Sequence, residues 1–283
     1  MIKNAMSLKA KINNIAKKEN ISPQSVMQTY MLERLLERIA NSKYKDNFIL
    51  KGGMLISSMI GIESRTTMDM DTTIKGFPLN VEDLKNILNE IMNIEIDDGV
   101  NFKIVSIENI REDDDYGGLR VHLNAIFDNM PTDIKIDVTT GDKITYKEVT
   151  YKYKLLLENR SINIWTYNPE TIIAEKYESI IKRSIFNTRA RDFYDVYMIM
   201  HISKKNISGK MLKDAIIATA KHRDSFEIIN NKDTVEKVIN ILKDDKTMIN
   251  QWKKYQKSYD YAKDINFQKL IESITIIKNI YFS

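Results

Sequence analysis

Apolar positions recur along this chain at two periods, and the switches between them outline its elements. Two amphipathic helical patterns open it, roughly 7–19 and 22–40. In the second, Val26, Met31, Leu32, Leu35, Leu36 and Ile39 form one stripe, with Ser22 as N-cap and Pro23 in the first helical position. A strand over 47–51 closes on Gly52-Gly53, a short helix follows over 54–60, and "RTTMDMDTTIKG" alternates as a second strand. Then come a helix over 81–94 and strands over 102–111, 119–127 and 132–139. The acidic "EDDDYGG" reads as the turn of a hairpin between the first two of these strands. In the third, Ile134, Ile136 and Val138 take one face and Asp133, Lys135 and Asp137 the other.

From Asn168 onward only the helical period is left. Asn168 is placed to cap a helix with Pro169 and Glu170 in its first turn. The pattern therefore predicts an α+β chain: a domain with a mixed sheet over 1–165 and a helical domain over 166–283.

Composition narrows the chemistry. The 283 residues are 43% hydrophobic and 29% charged, ordinary for a globular protein. No apolar run is long enough to span a bilayer, and "MIKNAMSLKAKINNIAKK" lacks an apolar signal core, so a cytoplasmic location is expected. With no cysteine, disulfides and thiolate metal sites are excluded. His122, His201 and His222 are scattered, so a metal site must rest on oxygen ligands. The net charge of +4 leans toward anionic partners without being the footprint of a dedicated nucleic-acid binder.

Asp69 and Asp71, two apart on a strand, leave the same face, and Asp137 sits beside them if their strands pair. Carboxylates so placed repel unless a cation occupies the site. All-oxygen ligation suits Mg²⁺, and two such ions, about 3.5–4 Å apart, serve both ends of an in-line phosphoryl displacement. A strand that ends in Gly52-Gly53 and runs into a helix offers bare N–H groups to a polyphosphate. Lys51 adds charge at that turn, and Ser57, one turn into the helix, is a further candidate contact. Taken singly, a D-x-D or a Gly-Gly is commonly structural; the ordered combination points to a metal and nucleotide site.

That combination resembles the core of the DNA polymerase β-type nucleotidyltransferase superfamily. More narrowly, "LKGGMLISSMIGIESRTTMDMD", with "AEKYESIIKRS" and "RARDFYDVY" far downstream, is similar to the AbiEii family of abortive-infection toxins. The superfamily often has Gly-Ser at the phosphate turn; here the residues are Gly53-Met54, which leaves the phosphates to backbone N–H groups.

Lys176 projects from an apolar helical face with Ile172, Ile173 and Ile180, a placement that snorkelling explains by itself. Asp192 and Asp195 share a face three residues apart, and an ion-pair network between two helices explains them equally well. The family resemblance adds a function: it implies that Lys176 meets the nucleotide phosphates and that Asp192 or Asp195 completes the active site. The tail "QWKKYQKSYDYAKDINFQK" interleaves aromatics with lysines, as an RNA binder does, but a solvated helix with inward aromatics has the same pattern.

The resemblance thus implies a polymerase β-like domain whose active-site cleft is completed by the helical domain. It implies Mg²⁺-dependent transfer of a nucleotide from an NTP to an RNA acceptor such as tRNA. Asp69, Asp71 and Asp137 would bind metal, with Asp137 also assisting deprotonation of the acceptor, and Lys51, Gly52, Gly53, Ser57 and Lys176 would bind nucleotide. It further implies an AbiEi-like antitoxin as partner, without a stable complex, and no membrane. Nucleotidylation of a protein or small molecule, and nucleotide binding without catalysis, are the competing readings.

Overall fold

The computed structural model describes residue 2 and residues 4–110, 117–187, 189–202 and 207–283. They form two compact units, one of Met1–Asp142 with Val149–Thr166, the other of Lys143–Glu148 with Tyr167–Ser283.

The first unit opens with α1 (Ala5–Glu19) and α2 (Pro23–Asn41), where the Ser22 side chain accepts from the Gln24 N–H as the cap requires. Next come β1 (Phe48–Lys51), α3 (Gly52–Ile60), β2 (Asp69–Ile74) and α4 (Val81–Met92), then β3 (Val100–Ile110), β4 (Gly118–Phe127) and β5 (Met130–Thr140). Two further strands, β6 (Val149–Lys154) and β7 (Ser161–Thr166), complete one seven-stranded sheet of order β3-β4-β5-β2-β1-β7-β6. Two pairings, β2 with β5 and β1 with β7, are parallel, and the others are antiparallel. The sheet is mixed, and the fold is α+β with a helical C-terminal region. Residues 112–116 of the expected acidic turn lie outside the described residues.

The faces of the central strands separate cleanly. Met70, Val121, Leu123, Ile134, Ile136 and Val138 are buried together, and α2 packs against β2, β5 and β7. Burying side chains of this kind contributes about 1.5–3 kcal/mol each. The apolar stripe of α2 is buried as the period requires, but so are its Glu33, Arg34, Glu37 and Arg38. Each of these has a partner: Arg38 forks onto Asp98 at 2.7 and 2.9 Å, Arg34 reaches Glu158, Arg160 pairs with Glu37, and Glu33 accepts the Leu156 N–H. Burial pushes the Glu33 carboxyl up to about 8.

The first helix of the helical unit is capped by Asn168, whose Oδ1 accepts the Thr171 N–H while its amide donates to the carbonyl of Thr145. That bond ties the short segment Lys143–Glu148 to this unit, a crossing the sequence pattern does not reveal. Its helices are α5 (Pro169–Arg183), α6 (Ala190–Ile202), α7 (Gly209–His222), α8 (Phe226–Ile229), α9 (Lys232–Asp244), α10 (Lys246–Ser258) and α11 (Phe267–Phe282). α5 packs on α6 and α7, and α11 on α6, α7 and α9. Among the described residues no helix is long and apolar enough to cross a membrane.

Candidate active site

β1 is short because the chain must turn at Gly52, where φ is +64°, a conformation that disfavours any side chain. A Cβ there would also lie 2.0 Å from Asp71 Oδ2, so the residue that faces Asp71 has to be glycine. Helix α3 starts on the glycine pair itself, two residues before the position that the sequence suggests. Its first turn is capped from across the sheet: Asp71 Oδ2 accepts the Gly53 N–H at 3.2 Å. A carboxylate suits that end of a helix.

The aspartates meet as the D-x-D spacing requires. β2 and β5 run parallel in a register that sets Asp71 opposite Asp137 and Asp69 opposite Lys135. Following the register outward, Glu108 on β3, Arg120 on β4, Asp137 on β5, Asp71 on β2 and Lys51 on β1 form one row across the sheet. Signs alternate along the row except where Asp137 and Asp71 stand side by side.

Most of these charges are paired. Arg120 grips Asp137 with a planar fork, Nε to Oδ1 at 2.8 Å and Nη2 to Oδ2 at 2.7 Å. Lys51 donates to Thr139 Oγ1 at 2.7 Å and to Asp142 at 2.5 Å. Asp69 accepts from the Thr67 hydroxyl at 2.8 Å and has Lys135 Nζ at 3.5 Å. Asp71 makes no salt bridge among the described residues. Burial, with the charge of Asp69 next, pushes its carboxyl up to about 6; Lys51 and the Gly53 N–H oppose that, and Asp137 adds to it.

One of the expected nucleotide contacts is committed elsewhere within the unit. Ser57 is buried and donates to the Arg65 carbonyl at 2.5 Å, and Met54 is part of the core. Arg120, Asp142 and Thr67 escape the sequence reading. Only Arg120 leaves a signal there, as a cation within an alternating apolar strand.

Three or more His, Cys, Asp or Glu side chains grouped as a ready metal cage do not occur among the described residues. Asp69, Asp71 and Asp137 share a face without converging, because Asp137 is turned into the arginine fork. The residues nonetheless fit a Mg²⁺ ion. It is commonly held by one or two carboxylates plus substrate phosphates, and Asp71 is a half-buried acid that makes no salt bridge among the described residues.

In the helical unit, Lys176 on α5 places Nζ 2.9 Å from Asp192 Oδ1 and 2.9 Å from Asp195 Oδ2, both on α6. Asp195 is fully buried. Farther along, Trp252 and Tyr255 of the aromatic tail turn inward and pack with Tyr194, while Lys253, Lys254 and Lys257 stay exposed.

Comparison with solved structures finds JHP933 from Helicobacter pylori, 14% identical with a TM-score of 0.48 over 92% of this chain and 94% of that one. A second H. pylori protein, provisionally described as a nucleotidyltransferase, is 12% identical with a TM-score of 0.49 over 93% and 98% of the two chains. Among curated proteins no relative matches the chain. The family model of the nucleotidyl transferase AbiEii toxin, type IV toxin–antitoxin system, matches residues 34–273 and so takes in the glycine turn, the aspartate strands and the Lys176 group. The chain belongs to the AbiEii family of nucleotidyl transferase toxins.

Proposed function

We propose that the chain transfers a nucleotidyl group from an NTP to an acceptor hydroxyl with Mg²⁺, and that the acceptor is RNA, tRNA in particular. The observation that carries the reading is the pair of adjoining aspartates on β2 and β5, where half-buried Asp71 stands beside Asp137 and within reach of Asp69's charge. Asp69 and Asp71 would hold the metal, which supplies there the charge neutralisation that a triphosphate and its displacement require.

The chain's own groups divide the remaining work. Gly52 lets the Asp71 carboxylate close on the start of α3, where it takes the Gly53 N–H, so phosphate oxygens would meet the other N–H groups of the first turn. Lys51, steadied by Thr139 and Asp142, contributes positive charge beside that turn. Asp137 takes the proton of the attacking hydroxyl. A new bond forms between that oxygen and the α-phosphorus as the bond to pyrophosphate breaks, and pyrophosphate leaves with the electron pair. The parts of Lys176, Asp192 and Asp195 rest on the family resemblance: Lys176 offsets phosphate charge and the aspartates orient it.

As a member of a toxin–antitoxin family the protein has an antitoxin counterpart. We take this to be an AbiEi-like repressor that acts without a stable complex, with both proteins in the cytoplasm. Incubation with each α-labelled NTP, Mg²⁺ and either total RNA or total protein tests the reading. Label on RNA is expected. Label on protein or small molecules alone overturns the RNA acceptor, and no transfer from any NTP overturns the enzyme in favour of nucleotide binding.

A further inference from the structure

Arg120 belongs to no sequence motif, yet it holds one of the three aspartates by both oxygens. It faces Asp137 directly in the β4–β5 ladder, and Asp137 faces Asp71 in the β5–β2 ladder. Asp137 is its only hydrogen-bonding partner among the described residues, and its side chain is 34% exposed, so the guanidinium borders solvent on its free side. Arginine stays charged at every relevant pH, and its fork matches a carboxylate, so the clamp is not released by loss of the arginine's proton. It yields to a competing cation.

The row of charges places that competitor. Glu108, Arg120, Asp137, Asp71 and Lys51 alternate in sign except at Asp137–Asp71, where one positive charge is missing. A divalent cation at this gap draws on the same carboxylate that Arg120 holds. We propose that Arg120 is a positioning residue: it clamps Asp137 away from the metal position until a divalent cation displaces it, so the third carboxylate joins the site only on loading. The proposal rests on the metal-dependent reading above. It also accounts for carboxylates that share a face yet form no cage.

Displacing the clamp lowers the apparent affinity for metal, as any equilibrium that hides the competent state does. The experiment is a Mn²⁺ titration of the full chain without nucleotide, followed by electron paramagnetic resonance, with thermal unfolding run alongside. Arg120→Ala should bind Mn²⁺ about tenfold more tightly than the unmodified chain. Arg120→Lys, which keeps the charge and loses the fork, should fall between them, and Asp69→Asn should lose binding. Arg120→Gln replaces the alanine variant if that one fails to fold.

If the Arg120 variants bind Mn²⁺ no better than the unmodified chain while Asp69→Asn loses it, the clamp alone is overturned and Arg120 is a sheet staple. If Asp69→Asn binds as well as the unmodified chain, or no chain binds, the metal reading fails and takes the clamp with it.

Discussion

The aspartate strands and the Lys176 group both bring carboxylates together in protected surroundings, and they resolve the repulsion in opposite ways. On α5 and α6 one ammonium sits 2.9 Å from each of two aspartates, so both acids have a counter-ion within their own unit. On β2 and β5 the cations go to Asp137 and Asp69, and Asp71 is left with a backbone N–H and a raised pKa. A closed group is one that folding needs. A carboxylate left short of charge marks where a ligand brings it.

The largest effect that follows is on activity. Asp69→Asn should cut nucleotidyl transfer on the order of 10³-fold, roughly 4 kcal/mol of lost transition-state stabilisation. Because it removes one of two neighbouring like charges, it should leave resistance to urea unchanged or slightly higher. Transfer from labelled NTP and a urea melt on the same preparation check both halves. Full activity in the variant would end the contrast between the two groups.

Lys176→Met should act the other way round. Removing the shared partner takes the ammonium away from two carboxylates, one of them fully buried, and should lower the unfolding free energy by about 3 kcal/mol. Adding Asp195→Asn should recover part of that loss, as a double-mutant cycle in urea would show. A Lys176→Met protein that unfolds normally yet transfers poorly would leave the ammonium its phosphate contact alone and end its role as a staple.

The contrast also has a pH signature. Asp71 binds its proton more tightly in the folded chain, about 6 against an ordinary 3.8, so its contribution is fully present below pH 3.8 and is lost as pH rises through about 6. Asp71→Asn should therefore gain roughly 2–3 kcal/mol relative to the unmodified chain between pH 3.8 and pH 7. The measurement is a set of metal-free urea melts across that range. Glu33, raised to about 8, loses stability in the same direction in both proteins and cancels from the difference. Mg²⁺ should shrink the gap near neutral pH, since it binds the unmodified site and not the variant.

Much of this was legible from short-range pattern. The period of two in "DIKIDV" put Asp137 opposite an apolar face, the D-x-D spacing put Asp69 and Asp71 on one side, and the caps at Ser22 and Asn168 marked helix starts. What escaped depends on pairing between distant segments. Arg120 acquires meaning only through the β4–β5 register, and Asp142 only because Lys51 reaches it from β1. β6 was hard to see because an exposed edge strand has little need of alternation, and the loop before β7 carries no glycine or proline to punctuate it. An amphipathic stripe on α2 likewise says nothing about whether its opposite side, with Glu33 and Arg38, is covered.

The smallest effect separates a residue that lies near the turn from one that serves it. Ser57 sits one turn into α3, where sequence makes it a candidate for phosphate, but its hydroxyl is buried and donates to the Arg65 carbonyl. That carbonyl belongs to the residue whose guanidinium a Cβ on Gly53 would meet at 2.7 Å, so the bond holds the 65–67 segment against the glycine turn. Ser57→Ala should lower stability by about 1 kcal/mol, the usual worth of one such hydrogen bond. The KM for NTP should stay within about twofold, because that loss falls on the turn's support and not on the nucleotide. Ser57→Thr should keep the bond but press a methyl group into a buried position, with a similar cost and again no change in KM. A clear rise in KM in Ser57→Ala, with stability intact, would move the hydroxyl from the scaffold to the nucleotide and make the first turn of α3 part of the open site.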